Sequence, residues 1–309
     1  MWNEYALDPD CLVSSRDRFA RLLFGFSFEQ GRLIASYPEN WRSRLYDRIQ
    51  ASPLRDAEKA WMVEHLSRAK QRMMPPDSRT YDEALPYLKN ALNCQEGGYP
   101  FHAIIAEENP ENAPRVILAG DISDTEPLWR CDSTRTVARE ASELVRPVEL
   151  LLNHAKTVIL IDPYFATPDG VPRARFLRPL KRMLDVLQAQ RHFPLRFEYH
   201  SNATNIRVRP HKFKERMREG VAPLLNDGQF IDFIGWRPLK SVRAQAFHDR
   251  YILTELAGAG YTYGLDDGPE GETTGVQRLS ASDHARVLQD FSLQSKTYEL
   301  TLRFRILPE

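Results

Sequence analysis

The chain has 309 residues, with 42 Lys and Arg balanced by 42 Asp and Glu, 42% hydrophobic and 27% charged residues, and no low-complexity tract. That profile excludes a disordered tail or a uniformly basic nucleic-acid coat, and suits an ordinary globular chain of two domains or of one domain with a large extension. Cys11, Cys94 and Cys131 are too far apart for a disulfide framework or a zinc ribbon, the opening residues show no leader pattern so export is not expected, and no apolar run is long enough to cross a bilayer, so a reducing cytoplasm is expected.

Residues 1–78 read as a mainly helical N-terminal region. In "SSRDRFARLLFGF" Ser14 and Ser15 are helix caps. In "SPLRDAEKAWMVEHLSRAKQRM" Ser52 caps, Pro53 takes the first helical position, and Trp61, Met62, Leu66, Ala69 and Met73 share one face. The aromatics Trp2, Phe24, Phe26, Phe28 and Trp41 read as core, with a partner surface as the alternative. Pro75 and Pro76 end the helical part. Residues 79–133 read as a small β-containing linking segment, in which "FHAIIA" and "RVILAG" form a hairpin around "EENPENAP" and His102 is a strand residue.

From residue 134 to 309 the pattern alternates. A helix capped near Ser133 and kinked at Pro147 precedes the strand "TVILIDPYF". The helix "RARFLRPLKRMLDVLQAQ", the strand "LRFEYHS", the basic helix "HKFKERMREGVAPLL" and the strands "FIDFIGW" and "AFHDRYILTE" follow, and then a glycine-rich acidic loop. Strands alternating with helices of this length predict an α/β fold whose mixed sheet is flanked by helices.

"AFHDRYILTE" carries the chemistry. In an extended strand His248, Arg250, Ile252 and Thr254 share one side while Asp249 and Tyr251 take the other, so an imidazole and a cation stand together. Glu255 comes where the strand should end and is expected to turn back toward the imidazole. The bland alternative for His248 is a strand histidine hydrogen-bonded to a neighbour.

The order H-x-R-x4-E resembles the H-x-K-x4-D signature of the phospholipase D superfamily, with Arg250 and Glu255 in the lysine and aspartate positions. The strand ending in "LIDPYF" and the later "GAGYTYGLDDG" extend the resemblance over residues 134–309. It implies a phospholipase D-like fold in which His248 is nucleophile or general acid, Arg250 the phosphate clamp and Glu255 its supporting carboxylate. It implies no metal and no cofactor. Imidazole attacks and protonates near neutral pH, and an adjacent cation stabilises phosphoryl charge.

Charge around the motif is uneven: residues 201–250 hold ten Lys and Arg against five Asp and Glu, and residues 251–290 hold two against seven. A solvated helix face is one reading of that basic run. The other makes Arg207, Arg209, Lys212, Lys214 and Arg218 backbone contacts to nucleic acid. A second motif copy is missing, since His154, His211 and His284 lack its pattern. Two solutions follow: a homodimer pairing two single motifs, or a domain that keeps the pocket without the reaction. The expectation is therefore a phosphodiesterase or nuclease-like protein, a subunit of a bacterial phage-defence system by analogy. The alternative is an inactive phospholipase D-like module that docks a larger protein assembly.

Overall fold

In the computed structural model, which describes residues 1–76, 78–98, 100–188, 193–239 and 247–309, the chain forms two units, Met1–Ser133 and Thr134–Glu309. The first opens on β1 (Asn3–Leu7), whose Tyr5, Ala6 and Leu7 are fully buried, as suits a strand covered on both faces. Ser15 caps α1 (Arg16–Phe24) by accepting from the Arg18 N–H at 3.1 Å. Then come β2 (Arg32–Ile34), α2 (Trp41–Ala51), α3 (Asp56–Ser67), α4 (Tyr87–Glu96), β3 (Ala103–Ala106) and β4 (Val116–Leu118).

All four strands are parallel, in the order β2-β1-β3-β4. The first 78 residues thus contribute two strands besides their helices, and these share a sheet with the strands from residues 79–133. The expected hairpin is absent: Ile104 pairs with Val116 in parallel, and residues 107–115 carry the chain back along the strand. Asn109 closes that return through two hydrogen bonds with Ala113. Ser52 does not cap α3. Arg55 is the residue at that N-terminus, and the buried Ser52 hydroxyl donates to the Ile49 carbonyl at the end of α2.

The second unit begins with β5 (Thr134–Ala138), where a helix was expected. The β-branched residues of "TRTVA" pair antiparallel with a later strand, and the helical pattern starts only afterwards, as α5 (Ala141–Val145), a 3-10 turn holding Pro147, and α6 (Glu149–Leu152). The remainder runs β6 (Thr157–Ile161), α7 (Ala174–Gln188), β7 (Arg196–Asn202), α8 (Pro210–Val221), β8 (Ile231–Pro238), β9 (Arg250–Thr254), β10 (Gly258–Tyr261), β11 (Thr273–Arg278), α9 (Ala281–Asp290) and β12 (Tyr298–Ile306). The expected last residues of the α7 pattern, 189 and 190, lie outside the described residues. Residues 258–261, expected as loop, are a strand paired with β9.

Sheet order is β12-β8-β7-β6-β9-β10-β11-β5, with β6, β7 and β8 parallel and the remaining pairings antiparallel. The chain is therefore α/β with a mixed sheet, as expected. Val287 of α9 and Phe291 pack with Ile159, Ile161, Trp236 and Leu253 on one face of the sheet. No described helix is long and apolar enough to cross a membrane.

Candidate active site at the carboxyl edge of the mixed sheet

Because β6, β7 and β8 are parallel, their carboxyl ends share one edge, the side of an open α/β sheet where ligands bind. Strand β9 runs antiparallel beside β6, with Ile161 opposite Tyr251, so the start of β9 meets the end of β6. This register joins residues distant in sequence. The His248 Nδ1 lies 2.9 Å from the Tyr164 hydroxyl, with the two rings inclined by 24°. The Arg250 guanidinium sits over the other feature of that tyrosine, its ring, 4.8 Å from the centroid. His248 and Arg250 are thus brought together, although His248 precedes the strand rather than lying in it.

The cluster is reachable from solvent. His248 is exposed, and Tyr164 is 45% exposed. Arg250 is only lightly engaged: one Nη N–H reaches the Thr262 carbonyl at 3.4 Å, and its Nε, shielded from solvent, has no acceptor among the described residues. The terminal Nη groups are the donors left for a ligand. Beneath lies Asp162, fully buried, whose two oxygens accept from the backbone N–H of Tyr164 at 2.8 Å and of Leu265 at 3.0 Å. Burial pushes its carboxyl up to about 6, against those two N–H groups and the Arg250 charge. Asp162 was missed in the sequence, as was Tyr164; both stand in "LIDPYF", at the end of an apolar strand.

Glu255 goes elsewhere. It follows the last residue of β9, and its carboxylate accepts from the backbone N–H groups of Lys156 and Thr157, each at 2.8 Å, at the start of β6. It stands seven positions along a largely extended chain from His248, roughly 20 Å. The strand does not end early, so Glu255 has no path back to the imidazole.

The five basic residues divide. Arg207 and Arg209 lie on the loop after β7, at the edge that carries His248, where the Arg207 N–H donates to the Pro168 carbonyl at 2.9 Å and Arg209 leads into α8. Lys212, Lys214 and Arg218 run away from that edge along α8. Lys212 pairs with Glu215 at 3.0 Å, and Lys214 and Arg218 lie over the Phe304 ring.

A second histidine network, also missed, is not a reacting site. His200 is fully buried; the Trp236 indole N–H donates to its Nδ1 at 2.9 Å, and its Nε2–H reaches Glu198 at 2.8 Å. That pattern describes a neutral imidazole beside a charged acid. Burial holds His200 below its usual value; it works against Glu198 too, but hydrogen bonds from His200 and Arg196 outweigh it and bring that carboxyl down to about 2. Among the described residues no group of three His, Cys, Asp or Glu side chains is placed to hold a metal ion. A cavity of about 920 Å³ lies in the first unit, not at His248; Asp8, Arg48, Tyr81 and Glu107 are among its lining residues.

The fold and this cluster define an α/β protein with an exposed histidine, arginine and tyrosine at the carboxyl edge of a mixed sheet. Comparison with known proteins found no matching family model, no matching curated protein and no matching solved structure.

Proposed function

We propose that this edge is a phosphodiester site for nucleic acid, with His248 as the reacting imidazole and Arg250 as the phosphoryl clamp. The observation that supports it is the meeting of both side chains on Tyr164, at 2.9 and 4.8 Å, on an exposed sheet edge. A guanidinium with free donors recognises phosphoryl oxygens by a planar pair of N–H groups, and an imidazole exchanges protons near neutral pH. Arg207 and Arg209 on the neighbouring loop add charge where a nucleic-acid backbone would pass.

The H-x-R order favours a single-motif protein of the phospholipase D type. On that reading the nucleophile and the acid must stand on opposite sides of one phosphorus, so a homodimer supplies the second His248. Cutting of foreign nucleic acid by a bacterial defence system fits such chemistry. A second reading has its own support: Glu255 is committed to the backbone at the far end of β9. An inactive phospholipase D-like module that docks a larger assembly needs no carboxylate at its histidine.

Fluorescein-labelled single-stranded and duplex DNA and RNA, incubated with the full chain in EDTA, test the first reading. The wild type is expected to cleave at least one of them, and His248→Ala to be slower by at least about a hundredfold. Equal cleavage by His248→Ala sinks the assignment. No cleavage of any of these by either protein, with the fold intact, selects the docking module.

A further inference from the structure

A reacting imidazole needs a third group on its far nitrogen, to fix the ring and decide which nitrogen carries the proton. The expected residue for that task, Glu255, is engaged at the opposite end of its strand. Asp162 has both oxygens on backbone N–H groups, and Asp249 accepts from the Tyr251 hydroxyl at 3.1 Å. Among the described residues, Tyr164 is the group within hydrogen-bond distance of Nδ1.

We infer that Tyr164 is the positioning residue of His248: its hydroxyl oxygen accepts from Nδ1–H, which leaves Nε2 as the nitrogen turned to the ligand. The inference rests on the reading of His248 as the reacting group. In attack, the Nε2 lone pair forms the N–P bond as the ester P–O bond breaks, and the leaving oxygen takes its proton from the imidazolium of the second copy. Nδ1–H stays on Tyr164 throughout.

Both partners are held from behind, as a positioning contact requires. The backbone of Tyr164 is fixed by Asp162 on one side. On the other, buried Phe165 stacks on Tyr199 with centroids 3.8 Å apart, and the Ala166 N–H donates to the Ser201 hydroxyl at 2.8 Å. His248 is anchored by its neighbours: Phe247 is buried against Phe291 and Tyr298, and Arg250 begins β9. The Arg250 guanidinium over the phenol ring holds the third corner.

Tyr164→Phe removes only the oxygen and keeps the ring under Arg250, so the fold is expected to survive; a thermal melt checks this. The tautomer is read from long-range ¹H–¹⁵N spectra of the full chain labelled with ¹⁵N-histidine, with His248 identified by its loss in His248→Ala. The wild type should show the Nδ1–H form, and Tyr164→Phe should move the ring toward Nε2–H. An Nε2–H pattern in the wild type, or no change in the variant, overturns the inference. Where the wild type cleaves, Tyr164→Phe should lower kcat by about tenfold with KM little changed; a rise in KM alone would make Tyr164 a binding residue and count against it. Absence of cleavage by the wild type would remove the catalytic reading, and the spectra would still decide the positioning.

Discussion

Each of the two sheets places an aspartate directly after a strand at its carboxyl edge, Asp8 after β1 and Asp162 after β6, and burial pushes both carboxyls up to about 6. Their employment differs. Asp162 uses each oxygen on a backbone N–H and so ties the loop after β6 to the loop after β10. Asp8 accepts from one, the Asp10 N–H at 3.0 Å, and lines the open cavity of the first unit, where Asp10 and Glu107 add negative charge and Arg48 offsets it. In that sheet the strand order turns back between β1 and β3. One aspartate braces loops; the other faces a cleft. A raised carboxyl therefore does not by itself distinguish a scaffold from a cavity wall, and the hydrogen bonds do.

Removing each carboxylate sharpens the contrast. Asp162→Ala orphans two N–H groups at the edge of a packed sheet, and is expected to destabilise the chain by about 3 kcal/mol. It should also release Tyr164 and so weaken the His248 contact. Urea unfolding measures the first effect, and a loss of less than about 1 kcal/mol would show that the two loops do not depend on this residue.

Asp8→Asn should act in the opposite direction, and its sign follows from linkage. An acid whose folded value of about 6 lies above its ordinary 3.8 contributes stability that is complete below 3.8 and is lost as pH rises through 6. At pH 7.5 the wild type carries a poorly solvated charge that asparagine lacks. The variant is expected to be more stable there by roughly 1 to 2 kcal/mol, after allowance for partial exposure, and no more stable at pH 3.5. A gain that is equal at both pH values would trace to something other than this titration.

Much of the second unit is legible in the sequence, because β6 and β8 are largely apolar, β7 opens by alternating polar residues with Phe197 and Tyr199, and α7 and α8 carry helical periodicity. What escaped has particular causes. β5 is a polar edge strand whose first three residues are exposed, and β10 is half glycine, so neither reads as a buried strand. The parallel pairing of β3 with β4 was hidden because an apolar run does not carry its direction. At the site, strand parity brings His248 and Arg250 into view, whereas Tyr164 lies 84 residues from His248 and reaches it only through the antiparallel register of β6 and β9. Glu255 misled for the same reason: its neighbours in space are Lys156 and Thr157.

The smallest expected effects concern the basic residues, and they separate the edge from its flank. Counterion release makes each phosphate contact to single-stranded nucleic acid worth about 0.7 in the slope of log K against log salt. Arg207 and Arg209 sit on the loop beside the His248 edge, so the double change to alanine should flatten that slope by about 1.4. Lys212 already has Glu215, and Lys214 and Arg218 lie over Phe304 on the side of α8. Reversing those three to glutamate should leave the slope within about 0.7 of the wild type, a change of one contact or less. Fluorescence anisotropy with a labelled oligonucleotide at several salt concentrations reads both. Should the helix variant lose more slope than the loop variant, the nucleic-acid path would run along α8, and the carboxyl edge would no longer be its principal contact.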